Sequence, residues 1–280
     1  MDAFHTLRLR QKGSVYCLED FELLFMLISA LKWREKNGKI YLVTDKAGAE
    51  YIYRHGFAPA YNNIDLSLDV LNGSLWNEKV FWAGVKLYAL SRQTFPCVML
   101  DLDFTVWEKL DFSKYGSDVA CIHREPVNTD IYPSLEYFEF KDGWKLPTWL
   151  DWSVEACNTA LAYFGSKELV DRYTRFAFEY MKAADVCRPD LPYMVFVEQR
   201  WLAMCAKRMG YNVHAMATFD YLFGKKQQKY THLWGQKDKF RSNPAKAYEF
   251  CRKCARRIDK DFPQWGEMLR GLSWATAYFE

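Results

Sequence analysis

Val98-Met99-Leu100-Asp101-Leu102-Asp103-Phe104-Thr105-Val106-Trp107 decides the reading of this chain. The apolar run from Cys97 to Leu100 leads straight into two carboxylates at alternate positions. Such a run reads as a buried strand, and Asp101 and Asp103 fall at its carboxyl end. If the strand breaks there, both acids reach one divalent cation. Mg2+ and Mn2+ take oxygen ligands, and the phosphate oxygens of a substrate can complete the shell. The plain alternative is two exposed acids in a turn, which the apolar residues leading into them argue against.

On the N-terminal side, strand-like and helix-like segments alternate. Residues 19 to 36 carry Leu23, Leu24, Leu27, Ile28 and Leu31 at the spacing of a buried helix face, stopped by Asn37-Gly38. Ile40 to Thr44 reads as a buried strand, Ala47 to Arg54 as a helix, and Asn77 to Ser91 as another helix. Phe4 to Leu9 is short and interleaved with Arg8 and Arg10, so no clear N-terminal strand is expected. On the C-terminal side, Val119 to Ile122 and Cys157 to Phe164 read as strands. Lys167 to Met181 reads as a helix, and Pro189 and Pro192 precede a further helix from about Val195 to Met209, ended by Gly210. Between them, Pro126 to Trp152 is irregular and aromatic. The expected class is α/β, a parallel sheet with helices on both faces and an elaborated second half.

A chain of 280 residues with half of them hydrophobic and 26% charged buries a substantial core, which excludes a disordered protein. A formal net charge of +3 gives no general case for nucleic acid. The apolar run Leu23 to Leu31 is too short to span a bilayer, for which about 20 residues are needed, and it does not resemble a signal peptide. Eight scattered Cys, with Cys251 and Cys254 as one unmatched CxxC, argue against zinc and for a reducing compartment. The expected location is cytoplasmic, with a peripheral place on the inner face of a membrane as the alternative. Residues 225 to 260 hold twelve Lys or Arg against Asp238, Glu249 and Asp259, a net +9. That run reads as a solvated helix face, or as a contact with anionic membrane or phosphate.

Two families use the acidic pattern. Asp101-Leu102-Asp103-Phe104-Thr105-Val106 resembles the opening motif of haloacid-dehalogenase-like phosphatases, which implies Asp101 as a nucleophile. It also resembles the DxD of GT-A-fold glycosyltransferases, which hold a metal on a nucleotide-sugar diphosphate. Position favours the second: strand–helix units precede the motif, and no later acidic pair follows an apolar strand.

Further segments resemble the retaining, family-8-like galactosyl- and glucosyltransferases. Phe81 to Asp103 is similar to their helix and strand before the DxD, which implies Lys86 facing the donor. Cys157-Asn158-Thr159-Ala160-Leu161 resembles their NxG strand, with Ala160 in place of Gly, and implies Asn158 on the donor sugar. Glu198-Gln199 resembles an acid–amide pair near the reacting carbon, with Glu where Asp is usual. His232-Leu233-Trp234-Gly235-Gln236-Lys237 resembles an HxxGxxK segment with its Lys one residue early, Lys239 being the other candidate. It implies His232 on the metal and Gly235 and Lys237 on the diphosphate. Thr44-Asp45 stands as a wall of the base pocket.

The resemblance implies a GT-A-like domain over residues 1–243, with a nucleotide-binding half over about 1–125 and an acceptor half over 126–243. A basic, aromatic helical extension follows over 244–280. It implies Mn2+ or Mg2+, a nucleotide-sugar donor (a UDP-sugar first), a glycan or glycolipid acceptor, and a retaining outcome. Acceptor aromatics are expected at Tyr137, Trp144, Trp149 and Trp152. A catalytically inactive binding relative is the remaining alternative, although such a relative usually loses one acid of the pair.

Overall fold

The structure is a computed structural model that describes residues 1–9, 11–12, 15–73, 76–224 and 228–280. Arg10, Lys225 and Lys226 of the segments singled out above lie outside the described residues. The chain opens with strand β1 (Ala3–Leu7) and a small hairpin, β2 (Gln11–Lys12) with β3 (Val15–Tyr16). Helix α1 (Asp20–Lys36), strand β4 (Ile40–Thr44), helix α2 (Lys46–Arg54) and strand β5 (Asn63–Asp65) follow. Helix α3 (Gly84–Ser91) leads into β6 (Cys97–Leu100) and, past the acidic pair, β7 (Phe104–Val106). Then come β8 (Val119–Glu125), β9 (Ala156–Phe164) and helix α4 (Lys167–Ala183). Helix α5 (Leu191–Val195) runs through one π-helical turn, Phe196–Arg200, into α6 (Trp201–Met209). The chain ends with β10 (Val213–Ala215), α7 (Phe219–Phe223), β11 (Tyr230–His232), α8 (Lys237–Arg241), α9 (Pro244–Asp261) and α10 (Pro263–Arg270).

Seven strands form one sheet in the order β10-β8-β9-β6-β1-β4-β5. Only β9 runs against its neighbours. Because β9 is reversed, its first residues lie at the same edge as the last residues of β6. The Asp101 N–H donates to the Ala160 carbonyl at 2.8 Å, which fixes that register at the acidic pair. A separate two-stranded ladder pairs His232 with Phe104, bringing the late segment back to the residue after Asp103.

Each face of the sheet has its own core. One side packs α1 and α9, the other α3, α4 and α6. Helix α1 is buried nearly all round, from Phe21 to Trp33, because the sheet covers one flank and α9 another. Rings bind α1 to α9, directly and through Phe240 of α8: Phe25–Phe250 at 5.9 Å, Phe21–Phe240 at 5.1 Å and Phe240–Phe250 at 4.7 Å. Cys251 and Cys254 belong to that packed face as free, buried thiols. Among the described residues no helix is long and apolar enough to cross a membrane.

Three local expectations need correction. Phe4 to Leu9 does contain a strand: β1 is the centre of the parallel set, paired with both β4 and β6. Its polar members do not forbid this, because His5 is satisfied inside by the Tyr61 hydroxyl and Ser29 Oγ, each at 3.1 Å, and Arg8 stands just beyond the strand end. The helix expected over 77–91 begins only at Gly84, where the Trp76 indole packs so closely that a Cβ would meet it at 2.7 Å. The helix expected from Val195 begins at Leu191 and includes the π turn. Gly210 ends it at φ +78°, as expected of a left-handed helix stop.

Candidate active site

The carboxyl ends of β1 and β6, the first residues of β9 and the π turn surround a cavity of about 410 Å3. Asp101, Asp103, Lys86, Asn158, Glu198, Gln199, His232 and Lys237 all line it. Asp101 and Asp103 follow β6 where the ladder breaks, and the Phe104 N–H turns back to the Asp101 carbonyl at 3.1 Å. The loop after β11 is pinned to the same turn by the Leu233 N–H, which donates to the Asp103 carbonyl at 3.0 Å.

Asp101, Asp103 and His232 each offer one ligand atom, all within 4.8 Å of one another. His232 Nε2 faces Asp103 Oδ1 at 3.9 Å, and its Nδ1 is buried without a hydrogen-bond partner among the described residues. Burial lowers the His232 pKa to about 4, so the imidazole is neutral near pH 7, the form that ligates a metal. Two carboxylates and a neutral imidazole are a fitting donor set for Mn2+, and for Mg2+ through the carboxylates.

Each acid also has an ammonium partner. Lys86 Nζ sits 2.6 Å from Asp101 Oδ1 and 2.7 Å from Glu198 Oε1. Lys237 Nζ sits 2.8 Å from Asp103 Oδ2. Burial, with Asp103 and Glu198 nearby, pushes Asp101 up to about 6 despite Lys86. Burial also raises Asp103, but Lys237, His232 and Lys86 together outweigh it and hold that carboxyl below its usual range. Burial disfavours the charge on Lys86, yet its two carboxylate neighbours win and keep it protonated.

Glu198 and Gln199 stand in the π turn, a distortion of helical winding that is common at functional sites. The Thr159 hydroxyl donates to Glu198 Oε1 at 2.7 Å, fixing the carboxylate from the β9 side. Gln199 Oε1 lies 2.6 Å from the Tyr132 hydroxyl, which is 2.7 Å from Glu125 Oε2. Glu125 Oε1 in turn accepts from Asn158 Nδ2 at 2.7 Å. One chain of contacts thus orients both amides expected to hold a sugar.

The remaining expected residues sit elsewhere. Thr44 is buried behind the cavity, with its hydroxyl donated to the Leu7 carbonyl at 2.7 Å. Asp45 caps α2 through the Gly48 N–H at 2.8 Å and lines an adjoining cavity of about 830 Å3 that shares Arg8, Trp82 and Val85 with the first. Gly235 takes φ +69° in the turn that returns the chain to α8, with open space where a Cβ would be. Its glycine suits the turn. The rings of the irregular stretch are packed inward. Trp144 lies against Phe140 at 4.6 Å, Trp149 against Trp201 at 5.4 Å and Trp152 against Phe196 at 5.6 Å. Tyr137 donates to the Pro189 carbonyl at 3.0 Å. Arg8, Trp82, Glu125, Tyr132 and Thr159 join the site without being expected there from the sequence. Only Arg8 carried a signal, since it follows a run that the fold makes a strand.

A family profile described as a family of unknown function, DUF6734, matches residues 8–270. The chain belongs to the DUF6734 family. Comparison with curated proteins finds no match to this DUF6734 chain. Among solved structures, mouse xyloside xylosyltransferase 1 in its apo form is similar at 9% identity and a TM-score of 0.41, over 77% of this chain and 85% of that one. The galactosyltransferase LgtC with donor and acceptor sugar analogues is similar at 10% identity and a TM-score of 0.40, over 71% and 70%.

Proposed function

We propose that this DUF6734 protein is a metal-dependent glycosyltransferase of the GT-A type, moving a sugar from a nucleotide-sugar to a glycan acceptor. The observation that carries the reading is the convergence of Asp101, Asp103 and His232 with Lys237, Glu198, Gln199 and Asn158 on one cavity at the carboxyl edge of the sheet. These are the groups that a diphosphate leaving group and a sugar require. The phosphatase reading has less support, because the third group beside the acids is an imidazole rather than a further pair of acids. A UDP-sugar donor and a retaining outcome belong to the same proposal.

Asp101, Asp103 and His232 would hold Mn2+ or Mg2+, which when bound supplies positive charge for the departing diphosphate. Lys237 adds the chain's own charge at that end, from a position already beside Asp103. Lys86 holds Asp101 and Glu198 in fixed relation, so the two ends of the scissile bond are addressed by one preset frame. Glu198, oriented by Thr159 and Lys86, presents a carboxylate to the positive character that develops on the sugar ring. Asn158 and Gln199, held through Glu125 and Tyr132, position sugar hydroxyls. The nucleoside lies toward Arg8, Trp82 and Asp45 in the adjoining cavity. The outer face of α9, with Lys246, Lys253 and Arg256 exposed, is the surface offered to an anionic membrane.

Isothermal titration of UDP with and without Mn2+ tests the proposal. Binding should tighten at least tenfold with Mn2+, and Asp103→Ala should remove that gain. Equal binding by wild type with and without metal would contradict it.

A further inference from the structure

Helix α7 turns Leu222 inward and leaves three rings outside: Phe219, Tyr221 and Phe223 are 45%, 43% and 43% exposed. Trp234, 51% exposed, closes against two of them, with ring centres 6.2 Å from Phe219 and 5.7 Å from Phe223. Exposed apolar residues are ordinary when scattered, but grouped rings mark a contact surface. This group joins two cavities. Trp234 lines the cavity that holds Asp101 and Glu198. Tyr221 lines a second cavity of about 420 Å3, whose walls carry Lys109, Lys114 and Lys229 against the single lining acid Asp111 among the described residues. Asp111 is already engaged by the Ser113 N–H at 3.0 Å and its hydroxyl at 2.6 Å, whereas the pairing of Lys229 with Glu108 is loose, at 3.7 Å.

We propose that Trp234, the α7 rings and the lysine-lined cavity form the acceptor subsite, and that the acceptor is an acidic glycan. The proposal rests on the glycosyltransferase reading and names its second substrate. A sugar presents flat C–H faces that stack on rings and a rim of hydroxyls that hydrogen-bond. Aromatic side chains, apolar in body and low in conformational entropy, suit the first need. A carboxylate, phosphate or sulfate on the same chain is drawn to the three ammonium groups, an attraction that salt screens. The ammonium groups line an indentation beside the rings, which a flexible chain enters and a flat bilayer does not. Continuity with the reaction cavity through Trp234 directs the other end of the chain toward Glu198.

An array of neutral, uronic-acid-bearing, phosphorylated and sulfated oligosaccharides, probed with labelled full-length protein plus UDP and Mn2+, tests this. Wild type should retain acidic members at least tenfold over their neutral counterparts. Tyr221→Ala/Phe223→Ala should lose retention tenfold or more, and Lys114→Gln/Lys229→Gln should lose the acid preference. Both variants should keep the thermal shift given by UDP with Mn2+, since these residues lie outside the donor cavity. Retention of no glycan, equal retention of neutral and acidic members, or retention unchanged in both variants would overturn the proposal. So would a ring variant that instead loses flotation with phosphatidylglycerol vesicles, which would make the patch a membrane face. A wild type that binds acidic glycans but shows no shift with UDP and Mn2+ would count against the glycosyltransferase reading and leave the glycan surface standing.

Discussion

Glu198 is the residue whose environment is hardest to explain as mere structure. It is buried, accepts from Thr159 and pairs with Lys86, yet it lines the cavity in a π turn. Glu198→Gln keeps the side-chain shape and an oxygen for Thr159 but removes the charge. Turnover should fall roughly 10²–10³-fold, the scale of losing one well-placed electrostatic group, while UDP affinity in Mn2+ changes little. Steady-state kinetics beside UDP titration checks this, and unchanged turnover would take Glu198 out of the reaction. Asp101 and Asp103 were legible because an apolar strand ends on them. Glu125 and Tyr132 were not, because they act by orienting Asn158 and Gln199 across distant segments, and no local pattern encodes such contacts. The sequence points to acceptor rings at Tyr137, Trp144, Trp149 and Trp152, but exposure rather than composition marks a surface. Those rings pack against neighbouring rings, whereas Phe219, Tyr221, Phe223 and Trp234 are exposed.

At the scale of elements, β1 shows why a short polar-interrupted run can still be a central strand. His5 is fully buried between Ser29 and Tyr61, and Ser29 Oγ also donates to the Phe104 carbonyl just past the acidic pair. Burial lowers the His5 pKa to about 3, so the folded state keeps it neutral. Its pKa is lower folded than unfolded, so the stability it preserves is complete above pH 6.5 and is lost as pH falls toward 3. Between pH 6.5 and 5 the His5 share of that loss is about 1.5 kcal/mol. Urea unfolding across this range should show a slope that His5→Gln reduces, although the variant is less stable overall. An unreduced slope would assign the pH dependence to other groups, His232 first among them. Alternation of strands and helices was readable from sequence. The reversed β9 was not, because a strand buried on both faces carries no sign of its direction, and the π turn was not, because its composition is that of any helix.

Over the whole molecule, the C-terminal helices form part of the core on one face of the sheet. The basic run also divides. Lys237 of α8 enters the cavity and Arg241 pairs with Glu22 at 2.9 Å, while Lys246, Lys253 and Arg256 of α9 face outward. Net charge along the sequence could not reveal that split, since it follows from which helix face meets α1. Ile258 is fully buried on that inner face. Ile258→Ala should lower global stability by about 3 kcal/mol in a single unfolding transition. A small effect, or a separate early transition, would make residues 244–280 a detachable extension.

Release of nucleotide from UDP-, GDP-, CDP- and ADP-sugars, measured with and without Mn2+ in wild type and in Asp103→Ala, tests the chemistry most directly. A glycosyltransferase built on Asp101, Asp103 and His232 releases nucleotide from one of these donors, a UDP-sugar first. That release should depend on Mn2+ and fall by two orders of magnitude or more in the variant. Absence of release from every donor, or release that neither Mn2+ nor Asp103→Ala alters, would contradict it.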